Sequence, residues 1–443
     1  MNVSKYSQTA LLLFFFIGLV TIKPAQAQVW TLQQCIDTAM INNKNLQVSK
    51  NGTLIGEHKR KEAIANLIPK ISAIADYRYY TDQPYQLMPA SVFGGTPGKF
   101  KEAQFGVPHN INTNLQVLIP LYNPLVYGAI TTTKIASEIS ELQYQKTEEQ
   151  IYFEISNLYY NAQILYHQLA FVDSNLINTT KLFKNIQLLK EQLLAKGTDV
   201  SKVQLQIEQL STQRELIISK QEQLLNALKF TMGIPFNQII QIDKNIQFQN
   251  SNEYVSSSTI DIRIAENQKR LVSSELKTLK YSRLPTISIY GTYGQTGFGY
   301  DKKPNDFLKF YPVGFAGVQL SYPLFNGTVT QRKINQKKIE MQNIDLQLSL
   351  ITEQNNMMIE NAKQQKMVAQ KTVRTIQLQI KQAQTIYEQT LLQQKEGVSS
   401  LTDVLLADNA LREAQQSYLS AIIDYLKADL EMKKLTGNIN KQQ

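Results

Sequence analysis

The chain has 443 residues, a net charge of +10 at pH 7, a single cysteine and three histidines. One cysteine excludes an intrachain disulfide, and lysines scattered among Glu and Gln, without a basic block, weigh against nucleic-acid binding. His58, His109 and His167 are dispersed, so no metal cluster with ligand spacing is expected.

The first element is a leader. Lys5, the apolar run 10–20 and Ala25-Gln26-Ala27 form a secretory signal peptide over 1–27, with cleavage before Gln28. No later apolar run reaches the roughly 18 residues of a membrane-spanning helix. Cys35 lies several residues past the cut, which argues against a lipid-modified N-terminus and favours a buried, inert thiol.

Two regions alternate with period two. In "IPKISAIADYRYY", Ile71, Ala73, Ala75, Tyr77 and Tyr79 alternate with Ser72, Ile74, Asp76, Arg78 and Tyr80. In "HNINTNLQVLIPLYNP", Ile111, Thr113, Leu115, Val117 and Ile119 alternate with Asn112, Asn114, Gln116 and Leu118. A loop of about 28 residues separates these strands. A second pair, "LPTISIYGTYGQ" and "YPVGFAGVQLSYPLFNG", lies within 284–326. Strands of about ten residues, polar on one face and tyrosine-rich near their ends, fit a transmembrane β-barrel, although a soluble hairpin pair has a similar pattern.

Between the strand pairs lie helices of unusual length. Residues 129–196, 198–232, 328–396 and 398–436 contain neither glycine nor proline, the residues that helix interiors exclude. The longest runs would each extend roughly 100 Å. Ile151, Ile155, Leu158, Ala162, Leu165, Leus169 and 176, and Val172 form a heptad seam. So do Val404, Ala407, Leu411, Ala414, Tyr418, Ala421, Tyr425, Ala428, Met432 and Leu435. The 328–396 helix carries Asn355, Gln365, Thr372 and Gln379 on its stripes and is expected to meet water on more than one side.

These elements occur twice. "LIPKI" (67–71) answers "RLPTI" (283–287), "IPLYNP" (119–124) answers "YPLFNG" (322–327), and "AKGTDVSKV" (195–203) answers "KEGVSSLTDV" (395–404). The first repeat is expected over 28–233, with a helix, strands about 70–80 and 111–121, a long helix about 125–196 and a return helix about 199–232. An inter-repeat segment follows over 234–258. The second repeat spans 259–437, with strands about 285–297 and 313–325, a long helix about 328–396 and a return helix about 400–436. A tail of 438–443 remains.

Four strands cannot close a lipid-facing barrel, so the chain must pool strands with copies of itself. A cyclic trimer would supply twelve, with the long helices as a tube. No enzyme chemistry is read. "GGTPGKF" (94–100) lacks the first Gly and the Ser/Thr of a phosphate loop, and the glycines of 290–300 do not precede a helix.

With Gly397, Asp403, Val404 and Leu405 at the turn, "WTLQQCIDTAMINNKNLQ" at the start and the duplicated plan, the mature chain resembles the outer-membrane efflux proteins, typified by TolC. The resemblance implies an α+β membrane protein. Its trimeric α-helical coiled-coil barrel would join a 12-stranded transmembrane β-barrel, four strands per protomer. It also implies a passive exit duct in the outer membrane of a Gram-negative bacterium, extending into the periplasm and serving tripartite efflux or type I secretion. Its partners would be two further copies, a periplasmic adaptor, an inner-membrane RND or ABC transporter and outer-membrane lipid, with no cofactor. The tip would dock the adaptor through Gly197, Thr198, Asp199, Gly397, Val398 and Leu401, and Asp403 with Leu406 would form the gate.

Where family members commonly have a second acid, Leu406 stands here, and Gln394 and Ser399 replace a bracing tyrosine and arginine. Measured from Gly197, position 203 is a valine, so the two tips are expected to differ. Ser400 and Asp403 also fit a simple helix cap. A periplasmic adaptor and a trimeric coiled-coil adhesin remain the alternatives.

Overall fold

A computed structural model describes residues 29–104, 106–246, 258–299 and 309–439. The expected signal peptide lies outside them, as do 247–257 of the inter-repeat segment and 440–443 of the tail. The chain divides into two compact units. One holds the residues up to Lys50, Gln143–Ile262 and the chain from Ile351 onward. The other holds Asn51–Leu142 and Arg263–Leu350.

In chain order, β1 (Val29–Trp30), α1 (Leu32–Asn42) and α2 (Lys44–Ala65) precede β2 (Lys70–Tyr79). Then come β3 (Tyr85–Pro89), β4 (Phe100–Gln104) and β5 (His109–Tyr122), followed by the 68-residue α3 (Pro124–Glu191) and its return helix α4 (Gly197–Met232). After β6 (Gln241–Ile242) the plan repeats with α5 (Ile260–Tyr281), β7 (Thr286–Gly299), β8 (Lys309–Ser321), the 67-residue α6 (Val329–Lys395) and α7 (Leu401–Leu435).

In the helical unit the heptad seams are buried. Ile151, Ile155, Ala162 and Val172 of α3 are in the core, as are Val404, Ala407, Leu411, Ala421, Tyr425, Ala428, Met432 and Leu435 of α7. The buried alanines between larger residues let helices approach closely. By contrast, α6 buries little beyond Ala362, Ala369 and Tyr387 in this unit, as its polar stripes lead one to expect.

The first described residues are tied into this core. β1 pairs in parallel with β6, joining Trp30 to Ile242. Thr31 and Gln34 form a reciprocal capping box at α1. Cys35, Ile36 and Ala39 then pack against Ile155, Tyr159, Leu228 and Met232. Cys35 is fully buried, and burial pushes its thiol up to about 12, so it has none of the thiolate character that reactivity requires.

The other unit contains a four-stranded antiparallel sheet in the order β2-β5-β7-β8. Its register sorts the two alternating sets onto opposite faces. Ser72, Gln116 and Thr292 align across three strands, as do Asp76, Asn112 and Thr296. The second row is hydrogen-bonded, Asn112 Nδ2 donating to Asp76 at 3.3 Å and Thr296 Oγ1 to Asn112 at 2.9 Å. On the opposite face Ile71, Val117 and Gly291 align, then Tyr77, Ile111 and Gly297, so that face is apolar. The glycines unexplained by any ligand motif receive rings instead, Tyr293 lying beside Gly314 and Phe310 beside Gly297.

Two strand expectations differ from the structure. The loop between the first strands holds an antiparallel hairpin of its own, β3 with β4, Tyr85 facing Gln104, Leu87 facing Glu102 and Pro89 facing Phe100 over strands too short to show a period. β8 begins and ends about four residues early, at Lys309 and Ser321 rather than 313 and 325. Pro312 is tolerated in β8 because this strand has one neighbour among the described residues.

At Gly294 an added Cβ would stand 2.1 Å from the Thr113 carbonyl oxygen. Gly294→Val is therefore expected to weaken the sheet by about 1–3 kcal/mol, read as a lower midpoint of denaturant unfolding in detergent. An unchanged midpoint would contradict the close approach.

Candidate functional site: the two helical turns

Each long helix stops by the same device. α6 ends with Gly397 in the left-handed region, at φ +73°. Its N–H donates to Gln394 O at 3.1 Å and that of Val398 to Gln393 O at 2.9 Å, the paired bonds of a Schellman stop. α3 ends with the same two bonds, Leu193 to Lys190 at 3.0 Å and Leu194 to Leu189 at 2.8 Å. Here the left-handed residue is Leu193, at φ +60°, a conformation costly for a side chain with a Cβ.

This alters the alignment of the tips. Gly197 is not a turn residue but the first residue of α4. Leu193, not Gly197, is the counterpart of Gly397, and six residues beyond each stands an aspartate, Asp199 or Asp403. The expectation that the first tip lacks an acid at the matching position is thus corrected. Glycine marks only the second turn; at the first, a leucine takes the left-handed backbone.

The two aspartates cap to different extents. Lys196 N–H donates to Asp199 Oδ2 at 3.3 Å. Asp403 Oδ2 accepts from Ser400 N–H at 2.9 Å, Ser400 Oγ at 2.6 Å and Ser399 Oγ at 3.2 Å. The Ser400 hydroxyl in turn accepts from Asp403 N–H at 3.2 Å. These donors, the Ser400 hydroxyl foremost, hold the Asp403 carboxyl below the usual carboxylate value although it is fully exposed. Asp403 and Leu406, three residues apart on one helix face, both point to solvent within the chain.

The remaining tip residues separate by burial. Leu193, Leu194 and Val398 are exposed apolar side chains at the turns, and Thr198 and Asp199 lie in the first turn of α4. Leu401 is only 9% exposed and packs with Leu182, Ile186, Val203, Tyr387 and Val404. Its side chain belongs to the core that joins the two hairpins and not to the exposed surface of the turn. The turns present the neighbouring leucines and valine instead.

Behind the turns lies a buried polar knot that the sequence reading missed. Asp408 is 4% exposed, pairs with Arg412 one turn on, and accepts from Gln206 Nε2 of α4 at 2.5 Å. Burial pushes the Asp408 carboxyl up and Arg412 opposes that shift. The buried Tyr387 of α6 is likewise raised, by burial first and by the Asp408 charge second. Arg214 pairs with Asp173 at 2.8 Å within the first hairpin, and Asn175 donates to Gln415 at 3.0 Å between the two hairpins. The spacing of Asp408 and Arg412 is legible as an i,i+4 pair; their burial is not. Among the described residues no group of three His, Cys, Asp or Glu side chains could hold a metal ion.

Residues 258–438 match the outer membrane efflux protein family model. The alkaline protease secretion protein AprF of Pseudomonas aeruginosa is 20% identical over 353 residues, covering 78% of this chain and 73% of AprF. The outer membrane protein VceC of Vibrio cholerae superposes with a TM-score of 0.77 at 15% identity, over 92% of this chain and 96% of VceC. The CmeC outer membrane channel of Campylobacter jejuni gives 0.72 at 14% identity, over 93% and 87%. The fold is therefore that of these channels, with helical hairpins and barrel strands.

Removing the Asp408 carboxylate leaves the largely buried Arg412 guanidinium without this partner. Asp408→Ala is expected to destabilise the tip by about 3–5 kcal/mol, read as faster hydrogen exchange in residues 182–204 and 387–412. Exchange at the wild-type rate would contradict the assigned role. Asp403 has the pH dependence of a lowered acid: its cap is intact above the unfolded value near 3.9 and is lost as pH falls through the lower folded value. Amide exchange in the first turn of α7 should therefore rise only below about pH 4, and in Asp403→Asn should be elevated at neutral pH as well.

Proposed function

With residues 258–438 matching the outer membrane efflux protein family model and 92% of the chain superposing on such a channel, we propose that the protein is one protomer of an outer-membrane exit duct. The observation that carries this reading is the sheet. It is apolar on one face and polar on the other, and β2 and β8 each pair with one strand among the described residues. Three copies would join those edges into a twelve-stranded barrel, apolar outside and polar inside. Substrate would pass through passively, delivered by a periplasmic adaptor and an inner-membrane RND or ABC transporter. The duplicated hairpins and sheet favour a duct over an adaptor or a fibre.

The turns supply the remaining parts. Leu193, Leu194 and Val398 offer an apolar surface for the adaptor, with Gly397 setting the backbone that presents Val398. Copies of Asp403 in a ring would concentrate cations, and copies of Leu406 would form an apolar constriction beside it. A type I secretion assignment is the second reading, favoured by the AprF relationship.

Detergent-extracted protein is expected to form channels in planar bilayers, and the absence of conductance would sink the duct reading. Asp403→Ala should lower the cation preference and weaken block by multivalent cations; unchanged selectivity would leave Asp403 as a helix cap alone. Val398→Asp should weaken adaptor binding roughly 30-fold, about 2 kcal/mol, without loss of assembly. Binding at the wild-type level would place the docking surface elsewhere.

A further inference from the structure

The duplication provides an internal comparison at the junctions between strand and long helix. In the first repeat β5 runs through Leu121 and Tyr122, Asn123 caps the helix, and Pro124 starts α3 directly. In the second, β8 stops at Ser321, and Tyr322–Asn326 lie outside any strand. Gly327 and Thr328 then both adopt left-handed backbone, at φ +65° and +69°, before α6 begins. Positive φ at a β-branched residue is a genuine outlier, and such strain concentrates where a site is built.

The detour opens a cavity of about 330 Å³. Arg283 lines it, at the position where the first repeat has Leu67. It is the one charged residue among those lining the cavity, and no carboxylate faces it there. Gln331 Oε1 accepts one guanidinium N–H at 2.6 Å, leaving the rest of the donor fork for a ligand. Ser282, Thr328 and Thr330 also line the cavity, the Ser282 hydroxyl donating to Leu279 O and that of Thr330 accepting from Asn326, and the first turn of α6 adds its positive end. The rim is apolar: Leu324 and Phe325 are 85% and 82% exposed, against 50% and 39% for their first-repeat counterparts Leu121 and Tyr122.

We propose that this second junction binds the phosphate headgroup of an anionic phospholipid. Arg283 would hold the phosphate through its planar fork. Tyr322, Leu324 and Phe325 would contact the upper acyl chains, as aromatic and aliphatic residues do at a membrane boundary. Charge complementarity and sequence continuity of the rim with β8 select a lipid over a free anion, which would gain nothing from exposed Leu324 and Phe325. The proposal rests on the membrane reading of the sheet.

The test is thermal unfolding of the purified full-length protein in micelles doped with phosphatidylglycerol or phosphatidylcholine, or supplemented with inorganic phosphate alone. Phosphatidylglycerol should raise the midpoint by several degrees over phosphatidylcholine, and phosphate alone should not. Arg283→Gln should abolish the difference and Arg283→Lys should retain part of it. Thr328→Gly relieves the backbone strain and removes a hydroxyl, so it should fold and shrink the difference. Equal midpoints in the two lipids, an unchanged gap in Arg283→Gln, or full stabilisation by phosphate alone would overturn the proposal. Incorporation into phosphatidylcholine nanodiscs separates the two levels of the argument. A wild-type protein that does not enter them refutes the membrane reading and the site with it. One that enters but ignores lipid charge refutes the site alone.

Discussion

Unpaired backbone is the constraint from which the rest of this molecule follows. A four-stranded sheet with one apolar face leaves, among the described residues, a row of unpaired N–H and C=O groups along β2 and another along β8. In water such edges are tolerable, but in hydrocarbon each unsatisfied group costs several kcal/mol. The sheet can therefore face lipid only if other copies supply the missing neighbours. Assembly is a condition for reaching the membrane, not an ornament added to a finished fold. The polar rows through Asp76, Asn112 and Thr296 suit that arrangement, since they lie on the sheet face opposite the apolar one.

The helical unit answers a different problem, how to keep long helices in register. Alanine-spaced seams permit close approach, and the buried start of the chain around Cys35 fastens α3, α4 and α7 together. Near the turns an apolar core around Leu182, Val203 and Leu401 combines with the Asp408–Arg412–Gln206 knot. A buried ion pair contributes less to net stability than to specifying one arrangement. In α7 it fixes which faces of the two hairpins meet, and so which side chains, Asp403 and Leu406 among them, remain exposed.

Much of this was legible because long-period patterns survive in sequence. Heptads, glycine- and proline-free runs and strand alternation each repeat over many residues, so local exceptions do not hide them. What escaped was set by single residues in tertiary context. Leu193 takes a backbone angle that composition assigns to glycine, which displaced the tip alignment by four residues. Leu401 reads as a turn residue but is core, because Leu182 and Tyr387 close over it. The β3–β4 hairpin was lost in a loop rich in Gly and Pro, and the burial of Asp408 depends on Gln206 of another helix, which no local spacing shows.

The most direct test of the central claim is native mass spectrometry of the protein extracted from outer membranes in mild detergent. Three copies of the chain per particle is the result that the account predicts. A single copy, folded and stable in the same detergent, would contradict the account, since its sheet would then have to satisfy both edges alone.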